Sequence, residues 1–497
     1  MSFGEIGTAA LVIYLLTLTG IAEVARRARK DTSAGDHFLA GRDLGTMVLF
    51  LTLYATAYSG NSLLAYPGRA YTSGFSFIMS TGFMMAIIVV FHVLAPKLRP
   101  IATTFHFVTP GDWVRYRFGG GAGAPEPGQR ALVLGVGILM CIALMNFLLA
   151  QLKAMGHVAS IVTDGAVPYE FGVAGLAAFI LFYETRGGMR AVAWTDAAQA
   201  ILMLVGLSAL FAWILDGAGG MDTVTRTVAK LRPEAVVVPD AKTCVGWFST
   251  VALLGLGSVV YPQAIQRIYA ARDGRTLANS FALMSFMPLA TTLVVTLIGI
   301  AAIGLLGDIG QREADEVLPL LLASWAEPGG AGQIGAVVVF VGALAAIMST
   351  ADSCLLSLSA MMAGDLLGNS GSDPTTAKRG KRFAAVLLVA MIPVAFIEEL
   401  SLWRLLELKM ELLLQCVPAF LMAIHWRAQR ADATLAGLVV GTALSVGLTF
   451  SGFSRIYGIH AGMLGLTLNA LVVVVGSTVM RRSLETQTSD SELATQN

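Results

Sequence analysis

The chain has 497 residues, 56% of them hydrophobic and 13% charged, with a net charge of +1 and a mean hydropathy of +0.72. A soluble domain carries about 25% charged residues, so this composition points away from a soluble protein and toward a lipid-embedded one. The near-neutral balance offers no basic face for nucleic acid, and the four cysteines lack metal-ligand spacing.

A membrane-crossing helix needs about 20 mostly apolar residues. Thirteen stretches qualify: 7–25, 44–66, 75–95, 130–163, 168–184, 191–215, 244–266, 279–306, 334–363, 382–399, 401–426, 433–452 and 460–480. The first is followed by Arg26, Arg27, Arg29 and Lys30 and has no basic leader before it, so it reads as a retained span. The expected class is therefore an all-α integral membrane protein of about 13 transmembrane helices. Segment 119–129, rich in Gly, Ala and Pro, reads as a loop, and the polar tail after Arg482 reads as disordered.

Basic residues divide unevenly over alternate loops. One set holds 23, from Arg26 after the first span to Arg482 after the last; the other holds seven, among them Arg69, Arg226 and Arg312. Positive charge favours the cytoplasmic side. The expectation is a multi-pass protein of the cell (inner or plasma) membrane, N-terminus outside and C-terminus cytoplasmic.

Several spans carry polar groups that cost several kcal/mol in hydrocarbon unless they meet a partner. In the second span, Tyr54-Ala55-Thr56-Ala57-Tyr58-Ser59-Gly60-Asn61-Ser62 crowds small and hydroxylated residues together. Local side-chain competition makes a helix easy to unwind there, which frees carbonyl oxygens for protein, water or an ion. The alternative is an ordinary helix packed through its small residues. The sixth span places Asp196 within Gly187–Gln199. In the ninth, Ala346, Ser349, Thr350 and Ser353 share one helical face, with Asp352 beside them. Neutral oxygens and carboxylates suit a hard cation such as Na+; hydroxyls bonded back one turn along the helix are the alternative. The eleventh span carries a stripe of Arg404, Glu407 and Glu411, with Lys409 off it. It reads either as a self-neutralising network or, through Lys409 or Glu411, as a ligand for a charged solute.

Four motifs make the pattern specific. Glu184–Gln199, with its Gly-Gly, Trp-Thr-Asp and following Gln, resembles the signature of the sodium:solute symporter family. Tyr261–Ala271 resembles the inner end of that family's core helix. Ser59-Gly60 with Tyr66-Pro67-Gly68 resembles its first core helix, and Met348-Ser349-Thr350 its ion-site helix. The resemblance runs from about residue 8 to 425. It implies a leucine-transporter-type inverted five-helix repeat with alternating access around midplane sites. The chain then divides into a first helix and loop (1–43), the first repeat (44–215), the second repeat (244–426), two peripheral helices (427–480) and a cytoplasmic tail (481–497).

The resemblance also implies a main Na+ site at the carbonyls of Ala55, Tyr58 and Ala346 and the hydroxyls of Ser349 and Thr350. A second cation position falls on Asp196, Asp352 and Ser353, where Asp352 replaces the usual Ser and could carry a proton instead. The solute site falls on Tyr58, Gly60, Asn61, Ser62, Asn146, Gln151, Ser258 and Val259. Asn61 stands where proline symporters have Trp, and Pro262-Gln263 where the galactose symporter has Asn-Gln. Neither solute is therefore copied over. The expected function is Na+-coupled import of a small organic solute, an amino acid or carboxylate before a sugar. A proton-coupled symporter of the same fold is the alternative, with a transporter-like membrane sensor or a membrane enzyme behind it. The expected partners are the sodium ion, the solute and the lipid bilayer, with no nucleic acid and no obligate protein partner evident. No catalytic residue is expected.

The charge division makes a direct prediction. A reporter active only in the cytoplasm should work when fused after Arg482 and fail when inserted within 216–243. Activity within that loop would overturn the assigned orientation.

Overall fold

In the computed structural model, residues 2–31, 33–119, 128–309, 314–326, 330–367, 374–396 and 402–494 are described, without the side chains of residues 61, 315, 331, 374, 402–405 and 481–494. Apart from a two-residue hairpin, Arg455–Ile456 against Ile459–His460, the regular structure among these residues is helical. Backbone amides in lipid must be satisfied within their own segment, and an α-helix does this. The long elements are α1 (Phe3–Arg27), α2 (Thr46–Ala57), α3 (Tyr66–Ser73), α4 (Ser80–Thr104), α5 (Gln129–Val162) and α6 (Tyr169–Ala218). They continue with α7 (Ala241–Val259), α8 (Pro262–Ala270), α9 (Gly274–Met284), α10 (Val294–Leu306) and α11 (Ala331–Met361). The last four are α12 (Pro374–Ala395), α13 (Leu402–Leu414), α14 (Ala431–Phe450) and α15 (Ala461–Ala494).

Ten helices among the described residues are long and apolar enough to cross a membrane. Three local causes separate this from the thirteen expected stretches. The fifth and sixth join in α6, whose 50 residues would span about 75 Å if straight. The second is interrupted after α2, which has only 12 residues, and its remainder runs on toward α4. The tenth begins within α12, whose first turns carry Lys378, Arg379, Lys381 and Arg382.

Three interruptions shape the core. α2 stops at Tyr58 (φ −101°, ψ 88°). Past the break, the Gly60 amide donates to Gln151 Oε1 on α5 at 3.3 Å instead of to a carbonyl one turn back. The unwinding expected from the Ser-Gly-Asn-Ser run is thus present. α7 stops at Val259, Tyr261 is extended (φ −58°, ψ 120°) and Pro262 opens α8. The stretch read as the seventh span is therefore also broken. Its signal was Pro262, whose ring pushes the preceding residue out of the helical region. α6 breaks at Gly188, where φ is +59°.

α11 lies at the centre, almost wholly buried, and packs on α1, α2, α5 and α6. α14 and α15 pack mainly on each other, and much of the surface of their apolar stretches is left exposed by the rest of the protein.

Gly188 makes the clearest fold prediction. A Cβ there would lie 2.3 Å from the His37 carbonyl oxygen and 2.5 Å from His37 Nδ1, at a backbone angle that favours glycine. Gly188→Ala should cost at least about 2 kcal/mol, from left-handed strain plus the clash. Gly175→Ala, where nothing lies within 4 Å, should be neutral or slightly stabilising. Thermal unfolding of the detergent-purified protein compares the two.

Candidate ion and solute site

A buried polar cluster joins α2, α6, α8 and α11. Arg267 of α8 and Asp196 of α6 are both fully buried, with Arg267 Nη2 at 2.8 Å from Asp196 Oδ2. The guanidinium also donates from Nε to Thr52 Oγ1 (2.8 Å), from Nη1 to the Gln263 carbonyl (3.1 Å) and from Nη2 to Ser353 Oγ (2.6 Å). Asp196 accepts further bonds from Thr52 Oγ1 and from Ser349 Oγ, the latter at 2.6 Å. Each pairing carries a reason from the chain. Thr52 lies one turn before Thr56, whose hydroxyl donates back to the Thr52 carbonyl and lies 3.5 Å from Ser353 Oγ. Ser349 and Ser353 are one helical turn apart, so they present two hydroxyls to the same neighbour.

The second cation position takes an unexpected form. Asp352 is buried and accepts from Tyr183 OH and, at 3.3 Å, from Ser353 Oγ. Asp196 and Asp352 were expected to share an ion. Beside Asp196 and Ser353 the structure also places a fixed cation, the guanidinium of Arg267. Arg267 lies inside the Tyr261–Ala271 motif, which by itself assigns it no role. An arginine in an apolar stretch was the available signal.

The residues expected to hold the main Na+ lie on two elements that the structure brings close. A Cβ on Gly60, just past the α2 break, would lie 2.7 Å from Ile347 Cγ1 of α11. Ala55, Tyr58, Ala346, Ser349 and Thr350 are all buried. Thr350 Oγ1 donates to the Ala346 carbonyl at 3.1 Å, and Ser349 donates to Asp196. Both hydroxyls have therefore spent their protons elsewhere, and their oxygens keep only acceptor capacity.

Beside this cluster lies a cavity whose wall includes Thr56, Ser59, Ser62, Ser258, Phe147, Tyr261 and Lys409, with aliphatic and aromatic side chains around them. Of the expected solute residues, Ser62 and Ser258 line it. Tyr58, Gly60, Asn146, Gln151 and Val259 are not on its wall. Tyr58 OH is 3.5 Å from Thr292 Oγ1, and Gln151 is occupied by the Gly60 amide. On α5 it is Phe147, next to Asn146, that reaches the cavity. The Asn61 and Arg404 side chains lie outside the described residues.

The charged stripe of α13 resolves into two halves. Glu411 accepts from Thr449 Oγ1 at 2.8 Å and lies 3.9 Å from His460 Nδ1; Glu407 pairs with Arg455 at 2.7 Å. These carboxylates serve contacts to the C-terminal segments. Lys409 projects the other way, into the cavity.

Residues 37–441 match the family model described as the sodium:solute symporter family. The chain belongs to that family. It is 26% identical over 489 residues to the sodium/pantothenate symporter of Escherichia coli (strain K12), covering 94% of this chain and 95% of that one. It is likewise 26% identical to the sodium/proline symporter of Salmonella typhimurium (strain LT2), covering 93% and 92%. The structure of a Na+-coupled sialic acid symporter in a substrate-bound outward-open state overlays it with a TM-score of 0.75 at 17% identity, covering 95% of this chain and 97% of that one. The fold is thus the leucine-transporter type expected from the motifs, and the chain is a transporter and not an enzyme.

The cluster predicts strong coupling. Asp196→Asn leaves the Arg267 guanidinium buried without a counter-charge and should cost about 3–5 kcal/mol. Asp196→Asn with Arg267→Gln should be less destabilising than the sum of the single changes. Denaturant unfolding of the purified variants tests this, and strict additivity would contradict a direct pair.

Proposed function

We propose that this symporter family member imports a small organic solute across the cell membrane, drawing it in with one Na+ per cycle. The observation that carries this reading is the break in α2, with Gly60 packed against Ile347 of α11, within one helical turn of Ser349 and Thr350. The carbonyls of Ala55, in the last turn of α2, and of Tyr58 at its end, the Ala346 carbonyl and two acceptor hydroxyls form a neutral oxygen set. Such a set holds a monovalent cation without trapping it. The same stretch of α2 supplies Thr56 and Ser59 to the cavity wall, so filling the ion position orders one wall of the solute position. A ligand that favours the ordered arrangement shifts the protein toward it, and the coupling acts equally in both directions.

A single Na+ follows from Arg267. Its guanidinium already neutralises Asp196 and bonds Ser353, so a second mobile cation there would meet a fixed one at close range. The proposed orientation places the N-terminus outside and the C-terminus in the cytoplasm, in line with the 23 basic residues on one set of loops.

Uptake into vesicles should require an inward Na+ gradient, show a Na+ Hill slope near one, and persist when a pH gradient is collapsed. Ser349→Ala or Thr350→Ala should weaken Na+ by about 1–3 kcal/mol, the cost of losing one buried ligand. Wild-type Na+ dependence in both variants would remove the assignment. A proton-driven, Na+-independent uptake would replace Na+ by H+, with Asp352 as the carrier.

A further inference from the structure

Lys409 is 1% exposed and reaches into the cavity between α2, α5, α7 and α13. Its ammonium finds no hydrogen-bond partner among the described residues. What it meets is two aromatic faces: Nζ lies 3.0 Å from the centre of the Phe147 ring and 4.8 Å from that of Tyr261. The two rings are themselves stacked, 6.0 Å apart and 15° from parallel. Ring faces attract a cation, but they supply no acceptor for its three N–H groups. The neighbouring acidic residue, Glu411, is turned away and held by Thr449. A buried ammonium without an anion is costly, and residues of this kind are retained where an anion arrives.

We infer that Lys409 is the anchor for the carboxylate of the transported solute, and that this solute is an organic monocarboxylate with no positive charge of its own. The inference rests on the Na+-symport reading above and specifies the solute class of the same site. Three features lead to it. No Asp or Glu is among the residues lining the cavity, so an amino acid's ammonium has no carboxylate there to pair with. The rest of the wall is apolar with a few hydroxyls, Ser62 and Ser258 among them, which suits a hydrocarbon body with one or two polar substituents. The proposed Na+ ligands are all neutral, so ion and lysine together place two positive charges at adjoining positions. A monoanion lowers that excess; a zwitterion or a sugar leaves it unchanged.

The test uses the purified full-length protein, with thermal shift and isothermal titration in Na+ and in choline. The probes are matched pairs differing in charge: propionate with propionamide, lactate with lactamide, and pantothenate with pantothenol. L-proline and glucose stand for the other classes. At least one carboxylate should bind in Na+, and its uncharged partner at least tenfold more weakly. Lys409→Met should lose carboxylate binding at least tenfold while keeping the stabilisation by Na+ alone; Lys409→Arg should retain part of it. Na+ stabilisation of Lys409→Met separates loss of the solute anchor from failure of the Na+ reading. If Lys409→Met does not fold, the wild-type preference within each pair decides. Binding of proline or glucose but no carboxylate overturns the proposal, as does equal binding within pairs, a variant that binds as well as wild type, or no carboxylate response at all.

Discussion

The buried ion pair between Arg267 and Asp196 is the constraint on which the centre of this protein depends. Two charges are withdrawn from water in a membrane interior, which is unfavourable unless nearly every polar atom is met. Here they are met by four separate elements: Thr52 from α2, Asp196 from α6, the Gln263 carbonyl and the guanidinium itself from α8, and Ser349 and Ser353 from α11. The arrangement is strong because it is complete. It also fixes the register of α11 against α2 and α6, and so decides which face of α11 looks toward the α2 break.

That break is the second requirement. An intact helix satisfies its own carbonyls and has nothing to offer a cation. By stopping α2 at Tyr58 and sending the Gly60 amide to Gln151, the chain leaves acceptors unsatisfied at a depth where water is scarce. The matching interruption between α7 and α8 places Tyr261 on the cavity wall, with Arg267 further along α8 in the ion-pair cluster. The two broken segments therefore meet the same cavity.

The charges of α13 show how one short helix serves two purposes. Positions two residues apart point about 200° away from each other on a helix. Glu411 can therefore bind Thr449 of α14 while Lys409, two residues earlier, enters the cavity. The carboxylates hold the C-terminal segments through Thr449, His460 and Arg455, and among the described residues the lysine has no hydrogen-bond partner.

Much of this was legible in the order of residues. Hydropathy marked the apolar stretches, because a span must be apolar over its whole length, but their division into helices differed where the fifth and sixth join in α6 and where the second is interrupted after α2. The Ser-Gly-Asn-Ser run marked the α2 break, and the hydroxyls of α11 were placed on one face by helical spacing alone. These are local properties, set by near neighbours. Partners were a different matter. That Asp196 would meet Arg267, 71 residues away, depends on how α6 and α8 cross. That Phe147 and not Asn146 would face the cavity depends on the rotation of α5 about its axis. That Glu411 and Lys409 would part ways depends on which neighbours α13 acquires. Composition and periodicity determined which segments enter the membrane and which residues within them were too polar to be idle. Only packing decided which of those polar groups neutralise one another and which is left for a ligand, because pairing energy depends on distance across elements that sequence spacing does not encode.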